Sequence, residues 1–243
     1  MSNLTSEQSQ KLQDLIYSRD LETVISGLEL LDTLAENESD IYDVFGMSNN
    51  IPSSPNDVRR FDCYHRDYIK VWILGKLAEY NVDWVCNLTK LYLNYNYWSR
   101  LPKLSYLPES IGNLTNLEYL DLRGNQLIIL PESIENLTRL TELYLDNNRL
   151  TFLPESIGNF TLLTELYLRG NQLTILPESI GVLTNLTELY LCENQITTLP
   201  SQFFNLTKFP PKDIFLDNNP LSDETLNKIQ ERVIRITTCV DAE

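Results

Sequence analysis

Tyr144, Tyr167 and Tyr190 stand 23 residues apart, and each follows a glutamate by two positions: Glu142, Glu165 and Glu188. Phenol rings beside carboxylates can do binding chemistry. Rings bury area with few torsions to freeze, while hydroxyls and carboxylates take up cationic or hydroxylated groups. Catalysis has no comparable set of residues. The single histidine, His65, lies in FDCYHRDYIK, two residues after Cys63, and neighbours at that spacing point to different sides of a helix. Neither a positioned base for a nucleophile nor a His-based metal cluster can be assembled from it. With no Gly-rich phosphate loop and no Cys-x-x-Cys pair in the chain, the expectation is a non-enzymatic protein without cofactor or metal, in which His65 is a surface or packing residue.

The 23-residue interval belongs to a larger pattern. Leu-Pro recurs at Leu107-Pro108, Leu130-Pro131, Leu153-Pro154, Leu176-Pro177 and Leu199-Pro200, and between these pairs the apolar residues keep fixed offsets, as in Leu117, Leu120, Leu122, Leu127, Leu130, Ile134 and Leu137. The row LxxLxLxxNxL returns as Leu140 to Leu150 with Asn148, as Leu163 to Leu173 with Asn171, and as Leu186 to Ile196 with Asn194. Two inward leucines separated by one residue require a short strand with alternating faces. The Pro-containing return is too short for a crossover helix, so each unit leaves half its apolar side uncovered until the next unit stacks on it. The predicted object is a solenoid with one parallel strand per turn, spaced by about 4.8 Å. A side-chain amide after each strand is expected to bond the backbone of its own coil and the next.

These segments, LEYLDLRGNQL, LTELYLDNNRL, LTELYLRGNQL and LTELYLCENQI, resemble the leucine-rich repeat in its LPxSIGNLTNL form, over roughly residues 84 to 221. The resemblance implies an α/β leucine-rich repeat solenoid, curved, with parallel strands on its concave face, in a family that serves many pathways through binding.

On that face the third, fifth, seventh and eighth positions of each unit point away from the core, so equivalent residues form columns. The third gives Lys90, Tyr119, Glu142, Glu165, Glu188 and Asp213, and the fifth gives Tyr92, Asp121, Tyr144, Tyr167, Tyr190 and Phe215. The seventh gives Asn94, Arg123, Asp146, Arg169, Cys192 and Asp217. An aromatic column thus runs between an acidic column and one that alternates Arg with Asp. Tyr and Arg most often anchor protein interfaces, and the expected site comprises Tyr92, Tyr119, Asp121, Arg123, Glu142, Tyr144, Asp146, Glu165, Tyr167, Arg169, Glu188, Tyr190 and Phe215. The bland alternative is that duplication copied these residues, with the tyrosines supporting neighbouring strands and Arg123 and Arg169 pairing locally with Asp121, Asp146 or Glu142. Carbohydrate binding and a structural or self-assembling role are the other two functional readings.

The ends differ in composition from the repeats. Residues 1–83 show helical periodicity, with Leu12, Leu15 and Ile16 and then Leu21, Val24, Ile25, Leu28 and Leu31, and read as an N-terminal cap or small docking region. Ser6 and Asp20 are expected helix starts, residues 49–56 a loop and residues 67–80 a third helix. Residues 84–221 hold about six strands, the first and last degenerate, with Trp98 in place of a leucine at one end and Pro210, Pro211 and Pro220 interrupting at the other. Residues 222–243 read as a capping helix and tail, with Ser222 as N-cap and Leu226, Ile229, Val233 and Ile236 on one face.

With 34 acidic against 19 basic residues and a formal net charge of -15, nucleic acid and anionic membrane are disfavoured as partners, and a protein with a basic or mixed-charge surface fits. The first residues, MSNLTSEQSQKLQDL, carry no basic start or apolar run, and VWILG is too short to span a bilayer. Cys63, Cys86, Cys192 and Cys239 are widely spread and are expected as free thiols, which together points to the cytoplasm, the alternative being a secreted mature form; the chain is expected to be a monomer.

Overall fold

The computed structural model describes residues 4–18, 21–35, 40–41, 44–45, 69, 73–76, 82–95, 103–208, 213–231 and 236–237. The chain divides into two compact units, residues 1–88 with 100–102 and 108–114, and residues 89–99 with 103–107 and 115–243.

In the first unit, α1 (Ser6–Ile16) and α2 (Leu21–Leu34) form where the periodicity predicts them. Ser6 is the first helical residue, but Thr5 caps the helix. Its Oγ1 accepts the Gln8 N–H at 3.2 Å while Gln8 Oε1 accepts the Thr5 N–H at 2.8 Å, a reciprocal arrangement that satisfies two otherwise orphan donors. Leu12 and Ile16 of α1 and Val24, Leu28 and Leu31 of α2 are buried. The helices approach closely at Gly27, where a Cβ would come within 2.8 Å of Leu15 Cβ. A short α3 (Asp83–Cys86) follows. Asp20, residues 49–56, Cys63, His65 and all but 69 and 73–76 of the third expected helix lie outside the described residues.

The second unit is the solenoid. Among the described residues, seven parallel strands pair in sequence order: β1 (Lys90–Tyr92), β2 (Tyr119–Asp121), β3 (Glu142–Tyr144), β4 (Glu165–Tyr167), β5 (Glu188–Tyr190), β6 (Asp213–Phe215) and β7 (Ile236–Thr237). The register is the one the repeat imposes, for example Glu142 opposite Glu165 and Tyr144 opposite Tyr167. Leu91, Leu120, Leu143, Leu166, Leu189 and Ile214 point into the core, and so do Leu93, Leu122, Leu145, Leu168, Leu191 and Leu216 two residues later. On the return side, Pro131, Pro154 and Pro177 hold extended backbone with φ between -69° and -65°. Each introduces a five-residue 3-10 turn (Glu132–Asn136, Glu155–Asn159, Glu178–Val182) that drives Ile134, Ile157 or Ile180 into the core.

The asparagines bond as a continuous chain, in the opposite direction to the one expected. Asn148 Nδ2 donates to Leu145 O of its own coil at 2.9 Å and to Leu122 O of the preceding coil at 3.0 Å, while its Oδ1 accepts the Leu127 N–H at 3.0 Å. Asn125, Asn171, Asn194 and Asn219 repeat this geometry. Leu122 O and Leu145 O therefore each accept from two successive asparagines. The position before each asparagine is left-handed, with φ of 76° and 67° at Gly124 and Gly170 and 55–57° at Asn147, Glu193 and Asn218. Gly and Asn tolerate that region, and Glu193 is the one costly occupant.

The C-terminal helix α4 (Asp223–Glu231) is capped by Ser222, whose Oγ accepts the Thr225 N–H at 3.3 Å, but Leu226 is exposed, and Thr225 and Ile229 are the buried pair. Ile236 belongs to β7, paired with Ile214, not to the helix, and Val233 lies outside the described residues. The exposed edge of β6 supplies the reason, because its unpaired backbone groups gain partners when a β-branched segment adds to the sheet. Finally, Cys86 forms no disulfide, but Cys192 is disulfide-bonded, against the expectation of a thiol. Sequence separation is a poor measure of distance in a coiled chain.

Candidate functional site

The strand face carries the three columns, and its aromatic residues form one unbroken ladder. Ring centroids are 4.9 Å apart for Tyr92 and Tyr119, 5.2 Å for Tyr119 and Tyr144, 4.6 Å for Tyr144 and Tyr167, 4.3 Å for Tyr167 and Tyr190, and 4.1 Å for Tyr190 and Phe215. The interplanar angle falls from 40° at the first pair to 10° at the last. Tyr119, placed by its position in the acidic column, spans the gap that Asp121 leaves in the aromatic one. Its ring bridges Tyr92 to Tyr144. Position counting places the backbone of Tyr119 correctly and misses the lean of its ring.

The acidic column is tied to the tyrosines. The single Tyr144 Oη proton is shared between Glu165 Oε2 at 2.7 Å and Glu142 Oε2 at 3.0 Å, and Tyr167 Oη donates to Glu188 Oε2 at 2.5 Å. Burial, followed by these bonds to carboxylates, raises the Tyr144 and Tyr167 hydroxyls well above the usual tyrosine range. They remain neutral donors, and the carboxylates hold the rings upright. Burial also raises the Tyr190 hydroxyl, with the Glu188 charge adding to it. A threonine ladder absent from the sequence-based expectations runs beside them: Thr141, Thr164 and Thr187 Oγ1 donate to the carbonyls of Glu118, Thr141 and Thr164 at 2.9–3.0 Å. The recurring Thr before Glu-Leu-Tyr was its signal.

The third column is mostly self-satisfied. Arg123 grips Asp121 through two bonds, Nε to Oδ1 at 3.0 Å and Nη2 to Oδ2 at 2.7 Å, and its guanidinium lies 4.8 Å from the Tyr144 ring centroid. Asp121 is only 1% exposed, and a buried carboxylate needs such a partner. Its bonds to Asp121 raise the Arg123 guanidinium further above its already high range. Arg169 pairs with Glu193, Nη2 to Oε1 at 2.9 Å, and not with an aspartate, while its backbone N–H donates to Asp146 Oδ1 at 2.8 Å. Cys192 and Phe215 are buried at the C-terminal end of the face. Lys90 Nζ lies 5.5 Å from the Tyr119 ring, so the rings nearest the N-terminal end already carry cations from the chain itself.

Asp146 is buried, and burial pushes its carboxyl up to about 6 against the opposing effect of the Arg169 backbone bond and the two arginine charges. The folded value lies above the unfolded one near 3.8, so on raising the pH the unfolded chain loses this proton first. The stability this group contributes is present below about pH 4 and lost as the pH rises through about 6, by at most about 3 kcal/mol. Asp146→Asn keeps an acceptor for the Arg169 N–H and cannot ionise. Its melting temperature relative to the parent is expected to rise by roughly 5 °C between pH 4 and pH 7. Circular-dichroism melts at several pH values check this, and a flat difference would contradict it.

Among the described residues no group of three or more His, Cys, Asp or Glu side chains is placed to hold a metal ion, and no helix is long and apolar enough to cross a membrane.

A family model described as a leucine-rich repeat region matches residues 67–171, and a second, described as two copies of leucine-rich repeats, matches residues 161–206. Among solved structures, the chain is similar to a leucine-rich repeat protein of Leptospira interrogans at 33% identity and a TM-score of 0.56, over 69% of this chain and 38% of that one. It is similar to an internalin of Listeria monocytogenes at 29% identity and a TM-score of 0.52, over 68% and 43% of the two chains. A third similar structure is the leucine-rich repeat ectodomain of the Arabidopsis thaliana membrane receptor kinase GASSHO1/SCHENGEN3 in complex with CASPARIAN STRIP INTEGRITY FACTOR 2, at 34% identity and a TM-score of 0.51, over 62% and 17%. The chain spans less than half the length of each of these proteins. No curated protein matches it.

Proposed function

We propose that this chain, which belongs to the leucine-rich repeat family, is a non-enzymatic interaction protein whose strand face binds another protein through the tyrosine ladder. The observation that carries this reading is the ladder itself: six aromatic rings, one from each of six strands, in a single row, with the hydroxyls of Tyr144 and Tyr167 held by glutamates. A rigid row of half-buried rings is already ordered before a partner arrives, so little conformational entropy remains to be lost on binding. Toward the C-terminal end, Glu165 and Glu188 beside Tyr167 and Tyr190 face no arginine in their own column, which favours a partner that presents Lys or Arg. Ring stacking weighs against the carbohydrate reading. At 4.1–4.6 Å and 10–25° the faces of Tyr167 and Tyr190 cover each other, leaving edges and hydroxyls where a sugar would need an open face.

The test is capture of a partner from the native source by the parent protein and by the variant with Tyr144→Ala, Tyr167→Ala and Tyr190→Ala. At least ten-fold weaker capture is expected, since buried aromatic anchors each contribute about 1–2 kcal/mol or more, with the circular-dichroism spectrum retained. Undiminished capture by a folded triple variant would move the site off this face.

A further inference from the structure

A second column, away from the strand face, has no role in that reading. The residue before each Leu-Pro pair is Tyr106, Ile129, Phe152, Ile175 and Thr198 in successive coils. The first four are 44%, 41%, 50% and 55% exposed. Large apolar side chains aligned at one repeat position on the surface mark interaction sites, whereas scattered single ones do not. The repeat does not demand them, since Thr198 fills the same slot.

Beside this apolar ridge lies a groove of about 470 Å³, with Phe152, Ile175 and Thr198 on one wall and Glu155, Glu178 and Ser201 on the other. The carboxylates are fixed in place. Glu155 Oε2 accepts the Ser179 N–H at 3.1 Å, and Glu178 accepts the N–H groups of Ser201 and Gln202 at 3.3 and 2.9 Å. The opposite wall continues as an acidic column through Glu132. One wall is thus apolar and the other anionic.

We infer that this groove docks a basic amphipathic helix of another protein, its apolar stripe against Ile129, Phe152 and Ile175 and its Lys or Arg residues toward Glu132, Glu155 and Glu178. The spacing fits. One apolar residue per coil recurs at about 5 Å near the sheet, close to the 5.4 Å pitch at which an α-helix repeats its stripe. Charge excludes the obvious rival. A second copy of the chain would bring its own acidic column and a net charge of -15 against the first, and an anionic membrane meets the same repulsion.

The experiment uses a fluorescein-labelled 18-residue peptide of Leu and Lys with leucines at i, i+3, i+4 and i+7, read by fluorescence anisotropy against the full chain. Binding is expected to weaken at least ten-fold in Phe152→Ser with Ile175→Ser, and again in Ile175→Lys, each with an unchanged circular-dichroism melt. Both positions are exposed, so folding is preserved. The triple tyrosine variant is expected to bind the peptide as the parent does, which separates this groove from the strand face. Three results would overturn the inference: unchanged affinity in both groove variants, equal binding of the matching Leu/Glu peptide, or a concentration-dependent dimer in light scattering that the groove variants abolish.

Discussion

Asn148→Leu is expected to lower the unfolding free energy by about 2–5 kcal/mol. The leucine fits the space approximately but bonds nothing, so the Leu127 N–H loses its only acceptor in the interior. Leu122 O and Leu145 O each keep a single asparagine donor where they had two. A fully buried, unpaired N–H accounts for about 1–3 kcal/mol of this and the two thinned carbonyls for the rest. The neighbouring change Asn147→Gly is the control. Asn147 is exposed and left-handed at φ 55°, and glycine accepts that geometry, so stability should move by less than about 0.5 kcal/mol. Urea unfolding followed by far-UV circular dichroism distinguishes the pair. A loss below about 1 kcal/mol in Asn148→Leu would mean that water reaches the orphaned groups.

The second large effect is at Phe160, which is fully buried in the slot where other coils carry Leu114, Leu137, Leu183 and Leu206. Phe160→Ala should cost about 3–5 kcal/mol through lost transfer energy and the cavity left behind, whereas Phe160→Leu, which restores the residue of the other coils, should cost less than about 1.5 kcal/mol. Because a solenoid is held by nearest-neighbour interfaces, the damage need not be shared evenly. Hydrogen exchange should rise first in the coils bordering Phe160 and remain slow in coils farther along the array. Uniform exchange across the solenoid would instead indicate that it unfolds as one cooperative unit.

What was legible in the sequence follows from what the repeat constrains. Leu120, Leu143 and Leu166 point inward because alternation along a three-residue strand leaves no other choice, and Pro131, Pro154 and Pro177 introduce turns because their φ is fixed. The columns of the strand face followed from the same counting. Properties that depend on side-chain reach did not. Tyr119 was assigned to one column and its ring fills another, Arg169 found Glu193 one coil onward, and the asparagines bond backward where a forward bond was expected. Backbone position was predictable in each case, and the torsions beyond Cβ were not. At the C-terminal end, helical spacing through Leu226, Ile229, Val233 and Ile236 outweighed the β-branched character of the segment, and the need of β6 for a neighbour decided the matter.

The chain of asparagines gives the solenoid a direction. Each amide belongs to a later coil and reaches a carbonyl of an earlier one, from Asn125 on Leu93 to Asn219 on Leu191. A newly added coil therefore carries its own latch, and the coil before it needs nothing prepared. During synthesis the array can close coil by coil as each asparagine leaves the ribosome, without waiting for the residues still to come. Truncation should show the same asymmetry. Removing coils from the C-terminal side leaves a carbonyl with one donor and a buried N–H without its asparagine acceptor, as at Leu150 when Asn171 is lost, whereas removing β1 takes only the Leu93 carbonyl from Asn125, which keeps Leu122 O.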